Sequence, residues 1–256
     1  MAEVDYDHAR HVHSHTVAGA QAALRLLYPK GLPESVLDVG CGRGTWLRAA
    51  LDLGVPDVFG IDGAAIPESD FLCPYQLFRW QDLRERWDLG RRFDVALCLE
   101  VAEHLPVNAV SGLIVSLVKH ADVIMFSAAV PGQPGQHHVN CQWPEYWQEM
   151  FNAHGYTCND LVRWIMWDHA DIEPWYRQNM FMATRAPDAA AREDRIRPVV
   201  HPDMFDAVLT YQRRQYEQYA SEMNSGVWPV SSYVSLLRRA AGGKLKRKVA
   251  RIFKAS

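Results

Sequence analysis

The sequence predicts an α/β fold, a doubly wound and mostly parallel sheet with helices on both faces and a helical C-terminal extension. Three observations predict it. Val36-Leu-Asp-Val-Gly-Cys-Gly-Arg-Gly-Thr45 reads as a buried strand that ends in a glycine-rich turn and opens directly into a helix. Val58-Phe-Gly-Ile-Asp62-Gly63 is a second apolar run ending in an acid, at the distance a parallel strand needs after one helix. Apolar runs and helical patterns then keep alternating, which is the βαβ rhythm of a sheet covered on both sides.

In chain order, residues 1–30 form an entry segment. His8, His11, His13 and His15 crowd ahead of a helical pattern from Thr16 to Tyr28, either as a metal-binding tract or as the exposed start of a substrate-side helix. The central domain, 31–185, carries strand 35–39, helix 44–53, strands 57–61, 75–79 and 93–99, helix 107–120, strand 122–127 and helix 143–153. Residues 186–256 make the extension. Ala186-Pro-Asp-Ala-Ala-Ala-Arg-Glu-Asp194 reads as a linker, and Met204–Met223 as a helix bearing Tyr211, Tyr216 and Tyr219. Gly226 and Pro229 break it. Two short basic helices, 231–241 and 244–254, follow, hinged at Gly242-Gly243.

Composition bounds the function. Apolar residues are 48% of the chain, enough for a sizeable core, and nine tryptophans suit packed layers or an aromatic pocket. No run approaches the apolar length that spans a bilayer, and the acidic start has no signal-peptide profile. Cys41, Cys73, Cys98, Cys141 and Cys158 are odd in number and contain no C-x-x-C pair, the usage of reduced thiols in a cytoplasmic protein. The net charge of −3 is uneven: Arg238–Lys254 holds eight Lys/Arg and no acid, leaving a body of −11. An acidic body argues against nucleic acid as a partner. The basic tail alternates with Leu236, Leu237, Leu245, Val249, Ile252 and Phe253, which suits peripheral contact with the inner membrane surface or folding back on the body. A homo-oligomer stays open.

The glycine spacing is G-x-G-x-G, not the G-x-G-x-x-G of dinucleotide enzymes, with Asp38 inside the motif. It resembles the first motif of class I S-adenosylmethionine (SAM)-dependent methyltransferases, whose sheet has seven strands. A carboxylate at Asp62 can accept both ribose hydroxyls. The resemblance implies that Asp82 faces the adenine amino group with Leu83 near the ring; a helix N-cap is the plainer reading of Asp82. Phe93-Asp-Val-Ala-Leu-Cys-Leu-Glu100-Val-Ala-Glu103-His104-Leu-Pro106 resembles the fourth motif. A hydride-transferring dehydrogenase rivals the first two motifs only. The cofactor set is therefore Asp38, Gly40, Cys41, Gly42, Gly44, Asp62, Gly63, Asp82, Leu83, Leu99 and Glu100. The late runs Gly155–Ile165 and Asn179–Thr184 would be the antiparallel hairpin that closes this sheet.

Two clusters could carry chemistry. Glu100, Glu103 and His104 fall on one face if the segment is a helical turn, and two carboxylates with an imidazole can hold Mg²⁺ or Mn²⁺. The pattern resembles the metal motif of ubiquinone-biosynthesis O-methyltransferases and small-RNA 2′-O-methyltransferases, although metal-free methyltransferases carry a similar stretch with Glu100 near the sulfonium end of the cofactor. The second cluster, Ser127 to Trp147, is a Pro/Gly-rich loop after the fifth strand with two histidines, amides and aromatic rings, either an acceptor wall or a structural loop. His138 is the candidate general base or fourth metal ligand, and His137 the reserve. These motifs, with His13-Ser-His-Thr16 and Trp175-Tyr-Arg-Gln-Asn179, resemble a bacterial methyltransferase group associated with surface polysaccharides or secondary metabolites. Cys141 stands where that group usually has an acid. The expected activity is O-methylation of a small polar, sugar-like acceptor. N-methylation of a small amine is the enzymatic alternative, and a SAM-binding interaction module without catalysis the non-enzymatic one.

Overall fold

A computed structural model describes the chain from Thr16 to Lys254, with side chains as far as Gly242. The four N-terminal histidines and the apolar tail positions 245–253 fall outside the described side chains. Contacts divide the chain into two compact units, meeting at Val208/Leu209.

The first unit is a seven-stranded sheet in the order β3-β2-β1-β4-β5-β7-β6. Its strands are β1 Ser35–Val39, β2 Asp57–Asp62, β3 Phe78–Trp80, β4 Phe93–Leu99, β5 Ala121–Ser127, β6 Tyr156–Asn159 and β7 Phe181–Arg185. Strands β1 to β5 pair in parallel, and β7 is inserted antiparallel between β5 and β6. The helices are α1 Val17–Leu27, α2 Thr45–Asp52, α3 Val107–His120, α4 Pro144–Asn152, α5 Leu161–Met166 and α6 Pro174–Asn179.

Both faces of the sheet are apolar, as a strand covered twice requires. Leu37 and Val39 of β1, Ala96 and Cys98 of β4 and Ile124 and Phe126 of β5 join Leu113, Trp147 and Phe151 in one layer. The alternate residues Val36, Val95, Leu97, Leu99 and Met125 join Leu24, Leu47, Met166 and Tyr176 in the other. The first layer centres on Phe126, whose ring meets those of Trp147, Phe151 and Phe181 at 5.2–5.4 Å.

Several elements differ from the sequence reading. The strand expected at 75–79 begins late, because Pro74 starts a 3₁₀ turn over Tyr75–Leu77 and Leu77 N–H bonds its carbonyl. Phe71, Tyr75 and Phe78 stack there instead. The run 155–165 is a strand only to Asn159. Beyond Asp160 the buried Val162 and Met166 stand four apart, so the chain turns helical as α5. Strands β6 and β7 are antiparallel neighbours, but α5 and α6 lie between them and no tight hairpin forms. Residues past 185 belong to the first unit: Glu193 accepts from Asn152, Gln148 and Cys158 N–H, and Ile196 is buried.

The second unit consists of the later part of α7, Pro202–Ser225, and of α8, Val230–Lys254. Trp228 closes the turn, with its ring 4.6 Å from Tyr219 and its indole N–H donating to Glu222. Helix α8 runs unbroken through Gly242-Gly243 in place of the two hinged helices expected. A helical glycine costs only about 1 kcal/mol relative to alanine, and the flanking Leu, Arg, Ala and Lys are strong helix formers. Among the described residues no helix is long and apolar enough to cross a membrane.

Phe126→Ala should cost about 3–5 kcal/mol, read as a lower urea midpoint at unchanged slope. A loss below about 1 kcal/mol would show that this ring cluster is not the centre of the core.

Candidate active site at the carboxyl ends of β1, β2 and β4

The glycine turn sits where the sheet order changes direction, between β1 and β4. Gly40, Gly42 and Gly44 all have positive φ, at 76°, 51° and 80°, a region that side chains other than glycine's rarely enter. Gly40 is also closed by space, because a Cβ there would overlap Val101 at the end of β4. The turn is tied to β2: Gly40 and Cys41 N–H both donate to Ile61 O, at 2.8 and 3.1 Å.

Asp62 ends β2 and is buried. One carboxylate oxygen accepts from Gly42 N–H and the other from Ala64 N–H, both at 2.7 Å. A carboxylate oxygen can accept more than one hydrogen bond, so a group of this kind suits hydroxyl donors. Asp38, one strand away, is also buried; burial and then the charge of Asp62 push its carboxyl from 3.8 up to about 8. Leu83 is buried close to Gly63, whose open Cβ position faces Leu83 N at 3.8 Å. Asp82 is held by Arg84, through its N–H at 2.9 Å and its guanidinium at 2.7 Å, and this partner lowers the Asp82 carboxyl. No helix starts after β3, so the N-cap reading of Asp82 is corrected: it closes a turn.

Beyond Leu99 the chain turns sharply. Glu100 is left-handed, with φ 55°, and its N–H reaches both Ser127 O and Ser127 Oγ. A 3₁₀ turn over Ala102–His104 follows. The helical face expected for Glu100, Glu103 and His104 therefore does not exist. Glu100 instead meets two amides that the sequence reading left without a role. Gln133 Nε2 donates to its Oε2 at 2.9 Å, and Asn179 Nδ2 lies 3.1 and 3.3 Å from its two oxygens. Burial raises the Glu100 carboxyl on balance, with the Asn179, Ser127, Gln133 and Glu103 contacts opposing it.

Glu103 is fully buried. By geometry neither carboxylate oxygen completes a hydrogen bond among the described residues, although its own N–H and that of Ala129 lie near enough to act on it. Burial and the charge of Glu100 hold its carboxyl well above the usual range. Glu103 O pins the loop after β5 by accepting from Val139 and Asn140 N–H. The loop thus returns His138 to the corner, with its ring centroid 5.1 Å from that of His104. Ligand atoms of Glu103, His104 and His138 lie within 4.8 Å of one another. Glu100 is not in this group, so the four-residue metal set narrows to three. His138 Nδ1 is 3.1 Å from Gln133 O, which can only accept, so Nδ1 carries a proton. Gly135 is bare where the imidazole packs; a Cβ there would overlap the ring. His137 is exposed and left-handed and does not converge.

Tyr176 supplies a further link: Trp46 of α2 donates to its hydroxyl at 3.1 Å, tying α6 to the helix behind the glycine turn.

The sequence matches the methyltransferase-domain family over residues 8–158, more than half of the chain. The chain belongs to that family. A ubiquinone biosynthesis O-methyltransferase of Pseudomonas syringae pv. tomato is 38% identical over 82 residues, covering 28% of this chain and 34% of the relative. A ribosomal protein L11 methyltransferase of Laribacter hongkongensis is 34% identical over 103 residues, covering 39% and 34%. The chain thus spans about a third of the length of these two curated relatives. Among solved structures, Streptomyces venezuelae DesVI aligns at TM-score 0.48 and 14% identity, covering 66% of this chain and 92% of that one. The amino pentose methyltransferase CalS10 of Micromonospora echinaspora aligns at 0.46 and 17%, covering 66% and 90%.

Asp38 generates a pH prediction for this methyltransferase-domain protein. Its folded pKa is raised, so between pH 3.8 and about 8 the folded state holds a proton that the unfolded chain releases. The stability this group contributes therefore falls as pH rises through that window. In thermal melts without ligand, Asp38→Asn should gain on wild type from pH 5 to pH 8. A constant difference would place Asp38 in a solvated site.

Proposed function

We propose that the protein transfers the methyl group of SAM to an oxygen of a small, polar, hydroxylated acceptor. The observation that supports this best is the convergence of two sets of groups on one end of the sheet. The glycine turn and Asp62 suit a nucleoside, and Glu103, His104 and His138 face the same corner across Glu100.

When bound, SAM supplies a methyl group on a cationic sulfur, open to in-line displacement. Asp62 accepts the ribose hydroxyls, and the turn without Cβ atoms lets the ligand approach the backbone. The strand order places Leu83, Asp62, the glycine turn and Glu100 in sequence along the carboxyl edge. Asp62 would hold the ribose and Leu83 would lie beside the adenine, leaving Glu100 as the residue that would face the sulfur end. Where no ion is held, His138 Nε2 would take the acceptor's hydroxyl proton, with the ring oriented by Gln133 O.

Glu103, His104 and His138 also fit a divalent ion, since a buried carboxylate stands beside two imidazoles with their ligand atoms within 4.8 Å of one another. Two nitrogen donors favour Mn²⁺ over Mg²⁺. Such an ion supplies charge that orients and acidifies an acceptor hydroxyl. N-methylation of an amine is separated from this reading by the acceptor panel below.

Labelled SAM incubated with sugars, glycosides, phenols and amines should give methyl ethers of hydroxylated acceptors. Transfer to amines alone would overturn O-methylation. Excess EDTA should abolish turnover and Mn²⁺ restore it, and His104→Ala should lose turnover while binding S-adenosylhomocysteine (SAH) as wild type does. Full activity in EDTA would remove the metal and leave His138 as base.

We also propose that α8 attracts the protein to anionic membranes. Eight cations and no acid follow Leu237, and the exposed Val230, Val234 and Leu237 recur at helical spacing. Truncation after Ala241 should end sedimentation with anionic vesicles at low salt. A full-length protein that ignores such vesicles contradicts the proposal.

A further inference from the structure

A line of buried amides runs from the root of α7 to Glu100. His201 N–H donates to Gln178 Oε1 at 2.9 Å, and Gln178 Nε2 donates to Asn179 Oδ1 at 2.9 Å. Asn179 Nδ2 donates to Glu100 and, at 2.9 Å, to Gln133 Oε1. Gln133 Nε2 closes the line on Glu100 Oε2. Gln178 and Asn179 are each 2% exposed, so water cannot substitute for a mismatched partner.

The line has a direction, and its far end sets it. A backbone N–H can only donate, so the Gln178 atom facing His201 must be oxygen. Its NH₂ then faces Asn179, which must answer with its own oxygen. That turns the Asn179 NH₂ toward Glu100 and Gln133, and Gln133, with its oxygen engaged, also shows Glu100 an NH₂. Reversing any one amide sets N–H against N–H or oxygen against oxygen. The anchor is itself held firmly: His201 Nε2 donates to Trp167 O at 2.8 Å, Nδ1 accepts from Asp203 N–H at 3.1 Å, and Arg177 bridges Trp167 O and the Asp203 carboxylate.

We propose that Gln178 and Asn179 are positioning residues for Glu100. They transmit the polarity set by the His201 N–H, so that the left-handed Glu100 meets amide donors and is held as a fixed acceptor at the sulfur end of the cofactor crevice. His201, from the segment that the sequence assigns to the C-terminal extension, thereby supports the cofactor site. The inference rests on the SAM reading above. It adds a specific consequence: a fixed carboxylate near the sulfur favours SAM, which is cationic there, over SAH, which is neutral.

The test is calorimetric affinity for SAM and SAH, without acceptor, in the full-length protein and two volume-conserving variants. Asn179→Leu removes a donor to Glu100 and should weaken SAM by about fivefold more than SAH. Gln178→Met does not touch Glu100 and should shift the ratio in the same direction by about two- to threefold. Melting curves report whether each variant folds; if Asn179→Leu does not, Gln178→Met decides. Equal weakening of both ligands, or no change in either, would overturn the relay while leaving the cofactor reading intact. A wild-type protein that binds neither ligand would overturn both.

Discussion

The contact of Gly40 with Val101 is the constraint on which the rest of the site depends. It joins the ends of β1 and β4 at the point where the sheet changes winding direction, and it admits no Cβ. Asp62 at the end of β2 and Glu100 after β4 flank this junction. Beside it, Glu100 leaves its strand in a left-handed conformation. That backbone state is uncommon for a residue with a side chain and persists only when its surroundings determine it. Ser127 from below and the amides of Gln133 and Asn179 from above supply that determination.

The site is built from one rigid side and one assembled side. The glycine turn, Asp62 and Asp38 belong to neighbouring strands in fixed register, and their hydrogen bonds are to backbone groups of the sheet. The other side is different. It consists of a Pro/Gly-rich loop, a 3₁₀ turn and the short helix α6, brought together by Glu103 O, Gln133 and Asn179. A scaffold of this kind keeps one side rigid and concentrates variation in the loop, as expected where function is grafted onto a widely used fold.

Much of the fold was legible because the signals were local. Strands 35–39 and 93–99 and helix 107–120 have the bounds their patterns imply, since the strands are near-continuous apolar runs ended by Gly40 and Glu100 and the helix is opened by Pro106. The strand at 75–79 misled because Pro74 starts a turn inside an otherwise apolar run. The run 155–165 misled because a period of two gives way to a period of four at Asp160. Gly242-Gly243 suggested a hinge where strong helix formers on either side prevail. In the site, the glycine turn and Asp62 were readable from spacing. The Glu100–Gln133–Asn179 network was not: its members come from three distant segments, and single polar residues leave no periodic trace. Helical spacing also gave a false reason for grouping Glu100 with Glu103 and His104; it is the returning loop that brings His138 to Glu103 and His104.

The central claim is that the corner between β1, β2 and β4 is a nucleoside site closed by Asp62. Titration calorimetry of SAH into wild type and Asp62→Ala tests it most directly. Loss of two hydrogen bonds to a charged group, each contributing roughly 1.5–3 kcal/mol, should weaken binding by at least about tenfold while the fold persists. Equal affinity in the variant, or no binding to the wild-type protein, would contradict the assignment.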